Sequence, residues 1–278
     1  MTRSFSVLAA KFFRNTSGAG TRKELFVNNS TFRHFLNNRQ PIPATLMNLF
    51  DALATRRSVR KYLGEPVPRP VIEKALQAAL LAPNTSNLQP WEMYWVTNPE
   101  KKAQLVTACL SQSSAATAAE LVVFVARTDT WRRNRELVLR ALNERGNPPQ
   151  QVLDYYKKIV PLFYAHGWLN SLGFFKSILI PIVGLWRPVP RGPFSTSALK
   201  ATLSKTVALA CENFMLAITA QGYSTCPMEG FDERRVKKIL GLGASSSVVM
   251  VISVGKADPA GIYGDRVRLD PSLFLFEV

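Results

Sequence analysis

RRSVRKYLGEPVPRPVIEKALQAALLAPNTSNLQPW, residues 56–91, decides how the rest of the chain is read. It opens on a basic, extended run, passes Pro66, Pro68 and Pro70, and enters an apolar helix. Side chains alternate faces in an extended segment, so Arg56, Ser58 and Arg60 are expected on one side. Two guanidinium forks and a hydroxyl suit a phosphate, which arginine grips bidentately; the same residues also suit a solvated basic strand. Pro68 and Pro70 fit a first helical turn, and Val71, Ile72, Ala75, Leu76, Ala79 and Leu80 recur at helical spacing. The helix is expected to stop at Ala82-Pro83-Asn84-Thr85-Ser86-Asn87, a turn with four polar side chains. Gln89-Pro90 then leads into Trp91–Val96, which reads as a strand.

Outward from this stretch, 278 residues with 47% hydrophobic and 10% aromatic content can bury a full core. Charge is lopsided: 35 Lys and Arg stand against 19 Asp and Glu, a net +16. Such a balance attracts polyanions, whether nucleic acid, an anionic membrane face or a phosphate-bearing cofactor. Cys109, Cys211 and Cys226 are odd in number and lack metal-ligand spacing, and His34 and His166 lie far apart. A zinc site or a histidine-based triad is therefore not expected, and reduced thiols fit a cytoplasmic-type compartment.

Residues 1–23 carry five bases and no acid, which suits a basic arm or an organelle-targeting segment. Pro43–Thr55 reads as a helix through Leu46, Leu49, Phe50 and Leu53. Further helices are expected over Pro99–Leu110, Trp131–Arg145, Pro149–Tyr164, Lys200–Gly222 and Glu233–Leu240, with buried strands at Leu121–Ala126 and Val248–Val254. Tyr223–Cys226 reads as a short strand ahead of a Pro227-Met228-Glu229-Gly230 turn. Between Asp154 and Glu212 there is no acid but seven bases: Lys157, Lys158, Lys176, Arg187, Arg191, Lys200 and Lys205. Inside lies Trp168–Trp186, long enough to suggest a membrane span. Its stripe of Trp168, Leu172, Phe175, Leu179, Ile182 and Trp186, with Asn170 and Ser177 opposite, reads instead as amphipathic, and Pro181 should kink or break the helix. An interfacial helix, a lid and an ordinary buried helix all fit it.

Arg56/Arg60 and Arg266/Arg268 are two basic pairs far apart in sequence, each with its members two positions apart in an extended segment. If they converge, four guanidinium groups surround one anion, and a phosphate with close to two negative charges matches. No Gly-rich phosphate loop or dinucleotide fingerprint is present, so a Rossmann reading fails.

The order RRSVRKY, then PVP..IEKAL.AAL.AP, then N.QPW, closely resembles the opening of the nitroreductase family of flavoproteins. That resemblance implies an α+β fold, a central, mostly antiparallel sheet surrounded by helices, in a homodimer with FMN at the subunit interface. It divides the chain into a basic extension, 1–43, and a flavin domain, 44–278, with an apolar and basic insertion at about 150–198. It assigns the cofactor to Arg56, Arg57, Ser58, Arg60, Pro83, Asn84, Thr85, Asn87, Pro227, Met228, Glu229, Gly230, Arg266 and Arg268. The Asn84–Asn87 loop reaches the flavin from the opposite subunit, and the backbone of Glu229 and Gly230 faces the reactive N5. The implied reaction is ping-pong electron transfer from NAD(P)H through FMN to a nitroaromatic, quinone or similar small acceptor, with reductive dehalogenation a related possibility. A different class also fits the charge: a membrane-surface or nucleic-acid-binding protein that keeps the flavin fold without catalysis. Peripheral contact of residues 155–211 with an anionic membrane is expected, and no specific nucleic-acid partner. The sequence departs from the family at Ser111, Gln112, Ser113 and Ser114, where many members place an Asn and a Lys near the pyrimidine end of the flavin.

Overall fold

The computed structural model describes residues 47–167 and 170–278. The basic extension, residues 43–46 of the expected Pro43–Thr55 helix and Trp168 lie outside the described residues. The elements are α1 (Leu49–Thr55), α2 (Arg69–Leu80), β1 (Trp91–Trp95), α3 (Pro99–Ala108), β2 (Glu120–Arg127), α4 (Trp131–Glu144), α5 (Ser171–Val183), α6 (Thr196–Ala220), β3 (Ser224–Met228), α7 (Glu233–Leu240) and β4 (Ser246–Gly255). Between α4 and α5 runs a helical stretch of three pieces, Gln150–Asp154, Tyr155–Ile159 and Val160–Tyr164, the middle one wound as a π-helix.

The fold is α+β around one antiparallel sheet of order β1-β2-β4-β3. The apolar run Leu121–Ala126 fills β2, and all six residues are fully buried. Alternation divides them between two cores. Val122, Phe124 and Ala126 meet α2 and α6, where Phe124 and Phe214 pack edge to face at 5.4 Å. Leu121, Val123 and Val125 meet Leu105 of α3 and Val236 of α7.

Local chemistry sets the ends of these elements. The Asn98 side chain caps α3 by accepting from Lys101 N at 2.9 Å, and Asp232 caps α7 by accepting from Arg235 N at 3.1 Å. Gly241 closes α7 at φ +66°, the left-handed conformation that glycine adopts without a Cβ clash. Helix α6 starts at Thr196 and not at Lys200, because the Ser195 hydroxyl accepts from Ala198 N and supplies the cap. Pro227 and Met228 belong to strand β3, not to the turn expected of them. An edge strand tolerates proline because few ladder bonds are at stake there.

Helix α5 differs most from expectation. It runs through Pro181 to Val183. Leu172, Phe175, Leu179, Ile182 and Trp186 are all exposed, so the stripe is not core. No helix among the described residues is long and apolar enough to cross a membrane.

All three cysteines are free and buried. Burial pushes the Cys109 thiol up to about 11 and raises Cys211 and Cys226 as well. At about pH 8.5, where a free thiol is half ionised, iodoacetamide should leave all three unmodified in the folded protein and label all three in denaturant. Labelling of native Cys109 at the unfolded rate, read by mass spectrometry, would contradict this burial.

Candidate functional site

The basic run lies along the outer edge of β3. Val59 N donates to Thr225 O at 3.0 Å, and Ser58 bridges Thr225 in parallel. Beyond it the chain is crossed by the segment after β4: Arg60 N donates to Gly261 O at 2.8 Å, and Leu63 N to Lys256 O at 3.0 Å. The crossing is so close that a Cβ on Gly261 would sit 2.5 Å from Lys61 O, which is why glycine stands there. Lys61 and Asp258 add a 2.9 Å ion pair across the same junction.

This crossing brings the two arginine pairs together. Arg56, Arg57, Ser58, Arg60, Arg266 and Arg268 line one cavity of about 220 Å³, with Asp265 and Val267 beside them. Arg57 is not turned away as strict alternation requires. The run is bridged at Ser58 and not pleated as a strand, and Arg57 donates to Gly264 O at 2.8 Å. Arg266 donates to Arg56 O. Partial burial, then the neighbouring charges of Arg268, Arg57 and Arg56, hold the Arg266 guanidinium below its ordinary value. Arg56 Nη1 is buried and has no hydrogen-bond partner among the described residues. A buried, unpaired guanidinium nitrogen among like charges is the environment an anion would relieve.

The second predicted group is the turn after β3. Glu229 and Gly230 are exposed, and Phe231 N donates to Glu229 O at 3.0 Å. Gln112 pins the turn: its Nε2 donates to Gly230 O at 2.7 Å and to Cys109 O at 3.0 Å. A Cβ on Gly230 would lie 3.3 Å from that Nε2, so the glycine leaves room for the amide. The Asp232 N–H reaches Ala108 O at 2.8 Å, and the Ser114 hydroxyl reaches the buried Met228 Sδ at 3.1 Å. The Ser111–Ser114 segment thus braces the turn.

The third group, the Asn84–Asn87 loop, sits elsewhere. It precedes β1, which lies at the opposite edge of the sheet from β3. Ser86, Asn87 and Gln89 all have positive φ, at 57°, 51° and 48°, a costly set for non-glycine residues. Neighbours over-determine it. Asn84 Oδ1 accepts from Gln89 N at 2.7 Å, the Thr85 hydroxyl pairs with Thr206 at 3.1 Å, and Ser86 pairs with the Tyr155 hydroxyl at 2.7 Å. Tyr156 and Tyr164 donate to the carbonyls of Ser86 and Thr85. Asn84 and Thr85 therefore build the loop, while Pro83 and Asn87 are exposed on it. The Asn87 side chain makes no hydrogen bond with the described residues.

Sequence reasoning named Gln112 only as a departure from the family, without its role in pinning the turn, and missed Tyr155, Tyr156 and Tyr164. The adjacent tyrosines inside a basic, apolar segment were the available signal. Among the described residues no group of His, Cys, Asp and Glu could hold a metal ion.

Comparison with known proteins follows the same outline. The model of the Nitroreductase family matches residues 53–256. The NADH dehydrogenase of Thermus thermophilus is 26% identical over 79% of this chain and 91% of its own length. The 4-nitrobenzoate reductase of Pseudomonas putida is 29% identical over 77% of this chain and 88% of its own. A solved chain from Exiguobacterium sibiricum, in complex with FMN, superposes with a TM-score of 0.62 at 25% identity, covering 84% of this chain and 98% of that one.

Replacing Gln112 with Leu removes two hydrogen bonds and leaves the Gly230 carbonyl without this donor. Urea unfolding should show a loss of about 1–3 kcal/mol. Unchanged stability would mean that the amide does not hold the turn.

Proposed function

The chain belongs to the nitroreductase family, and on that premise we propose that it is an FMN-dependent oxidoreductase passing electrons from NAD(P)H to a nitroaromatic, quinone or similar small acceptor, as a homodimer. The observation that carries the reading is the arginine cavity with its buried, unpartnered Arg56 Nη1. Its donor set fits a phosphate that brings close to two negative charges. At about 220 Å³ it is smaller than the 300–1,000 Å³ typical of a pocket for a whole ligand, so it suits the phosphate end while the ring extends past it. The names of the Thermus and Pseudomonas relatives support the donor and acceptor classes, and the Exiguobacterium structure supports the flavin.

Sheet order supports the second copy. Strands β1 and β3 are three spacings apart, roughly 15 Å, and the arginine run lies beyond β3. One chain therefore holds Asn87 and the arginines at opposite edges. A symmetric partner would bring its own loop to this chain's cavity and complete two equal sites.

FMN, when bound, supplies the two-electron relay between donor and acceptor. The protein's part is to hold and orient. Arg56, Arg60, Arg266 and Arg268 grip the phosphate, with Arg57 and Ser58 beside them. The Glu229-Gly230 backbone presents polar groups that neither titrate nor swing away, because Gln112 fixes the turn and Pro227 stiffens the strand before it. Asn87 reaches the ring edge from the partner. Gln112 and Ser114 are turned onto the protein and offer no cation to a bound cofactor.

Purified protein should be yellow and bleach on addition of NADH or NADPH; a colourless protein that takes up no added FMN would overturn the reading. Arg56→Ala with Arg268→Ala removes two charge-assisted pairs at about 1.5–3 kcal/mol each, so FMN affinity should fall roughly 100-fold or more while riboflavin affinity changes little. Equal losses for both ligands would take these arginines off the phosphate. Mixing Arg56→Ala protein with Asn87→Ala protein should give heterodimers with one intact and one doubly damaged site. Absence of any site with unsubstituted affinity in the mixture, read by FMN titration, would mean that each chain builds its site alone.

A further inference from the structure

Helix α5 is mounted inside out. Asn170, at its start, accepts from Thr196 N at 3.0 Å and from the Thr196 hydroxyl at 2.8 Å. Gly173 is buried, and a Cβ there would fall 1.8 Å from Phe194 O. The Lys176 ammonium donates to Leu162 O and Ala165 O. Positions 170, 173 and 176, the polar and small ones, thus face the protein. Leu172, Phe174, Phe175, Ile178, Leu179 and Ile182 are each 45–63% exposed, and Leu185 and Trp186 beyond the helix are 77% exposed. A surface helix ordinarily turns its apolar stripe inward. An apolar face this continuous, fixed outward by two polar anchors and a buried glycine, marks a docking surface.

We propose that this face docks the protein on an anionic lipid bilayer. Charge selects that occupant. Residues 155–211 contain seven bases and no acid, and Lys157, Arg187, Arg191 and Lys205 among them are exposed. Tyr155, Ile159 and Leu162 add exposed apolar surface around Lys157 and Lys158. Anionic headgroups attract nearby bases while acyl chains take up the apolar side chains. Trp186, exposed just past the helix, has the amphipathic ring suited to the headgroup boundary. The 13 residues of α5 extend about 20 Å, short of the ~30 Å hydrocarbon core, so the helix lies along the surface and does not cross it. A second copy packed symmetrically on the same face would set this acid-free segment against itself, and like charges disfavour that pairing. The inference needs no flavin, so it stands or falls apart from the proposed reaction.

Flotation of the full chain with vesicles tests it. The protein should float with phosphatidylcholine–phosphatidylserine vesicles at low salt, less at high salt, and little with phosphatidylcholine alone. Phe175→Ser with Leu179→Ser should abolish flotation without changing thermal melting. Arg187→Glu with Arg191→Glu should lower binding to anionic vesicles at least about 10-fold while leaving the apolar face intact. Absence of flotation with anionic vesicles, or flotation of either variant at the unsubstituted level, would overturn the proposal. If the serine variant melts early, the glutamate variant decides. A serine variant of altered oligomer size, in a protein that does not float, would assign the face to a second copy.

Discussion

Strand β2 is apolar on both faces, and this constraint governs where everything else can go. A strand buried on both sides needs a helical layer above and another below, supplied here by α2 and α6 against α3 and α7. With both faces covered, no broad concave surface remains on the sheet. Polar chemistry is left to its margins, and the two margins carry the two sets of candidate residues. The β3 edge meets the basic run through Ser58 and Thr225, while the β1 edge is entered through the Asn84–Asn87 loop. The proposed need for a second copy follows from that layering more than from any one contact.

At the β3 edge the chain holds like charges together without neutralising them. Elsewhere some arginines are paired: Arg127 with Glu92 and Asp129, Arg69 with Glu73, and Arg235 with Asp232. Among the described residues no ion pair involves Arg56, Arg57, Arg60, Arg266 or Arg268. Backbone carbonyls at Arg56 and Gly264 accept from two of them, so position is fixed by dipoles that leave the net charge untouched. The Tyr263 ring lies 5.1 Å from the Arg60 guanidinium and adds a cation–π contact. Converging positive groups of this kind are unfavourable in isolation and favourable around a dianion.

The sequence was most legible where one local rule decides. Leu121–Ala126 could be read as a buried strand from its unbroken apolar run, and α7 from Asp232 at one end and Gly241 at the other. The pairing of Arg56/Arg60 with Arg266/Arg268 was legible as a coincidence of residue type and spacing. Distant partners were less so. Gln112 pins a turn 118 positions away, and nothing local to a glutamine announces that. Arg57 departs from alternation because a lone bridge, not a pleated ladder, holds its neighbour. Periodicity put Leu172, Phe175, Leu179 and Ile182 on one apolar face of α5, but Ser177, expected opposite, is exposed with them, and periodicity does not report which face is buried. Two polar anchors, Asn170 and Lys176, and the close approach of Gly173 chose the opposite face, and those contacts reach across 11 to 26 positions.

Those anchors also tie the outward helix to the polar loop. Lys176 of α5 holds carbonyls at Leu162 and Ala165, at the end of the helical stretch that carries Tyr164. Tyr164, with its ring stacked on Trp131, donates to Thr85 O, and Tyr155 and Tyr156 of the same stretch hold Ser86. The left-handed residues of the loop persist because these tyrosines over-determine them. A continuous set of hydrogen bonds thus runs from the exposed apolar helix to the strained loop that precedes β1. Burial raises the Tyr164 hydroxyl well above its ordinary value, so this donor stays protonated throughout the neutral and mildly alkaline range. Tyr155, Tyr156 and Tyr164 therefore add to the support that Asn84 and Thr206 already give the Asn84–Asn87 loop, and so link this helical stretch to the loop's shape.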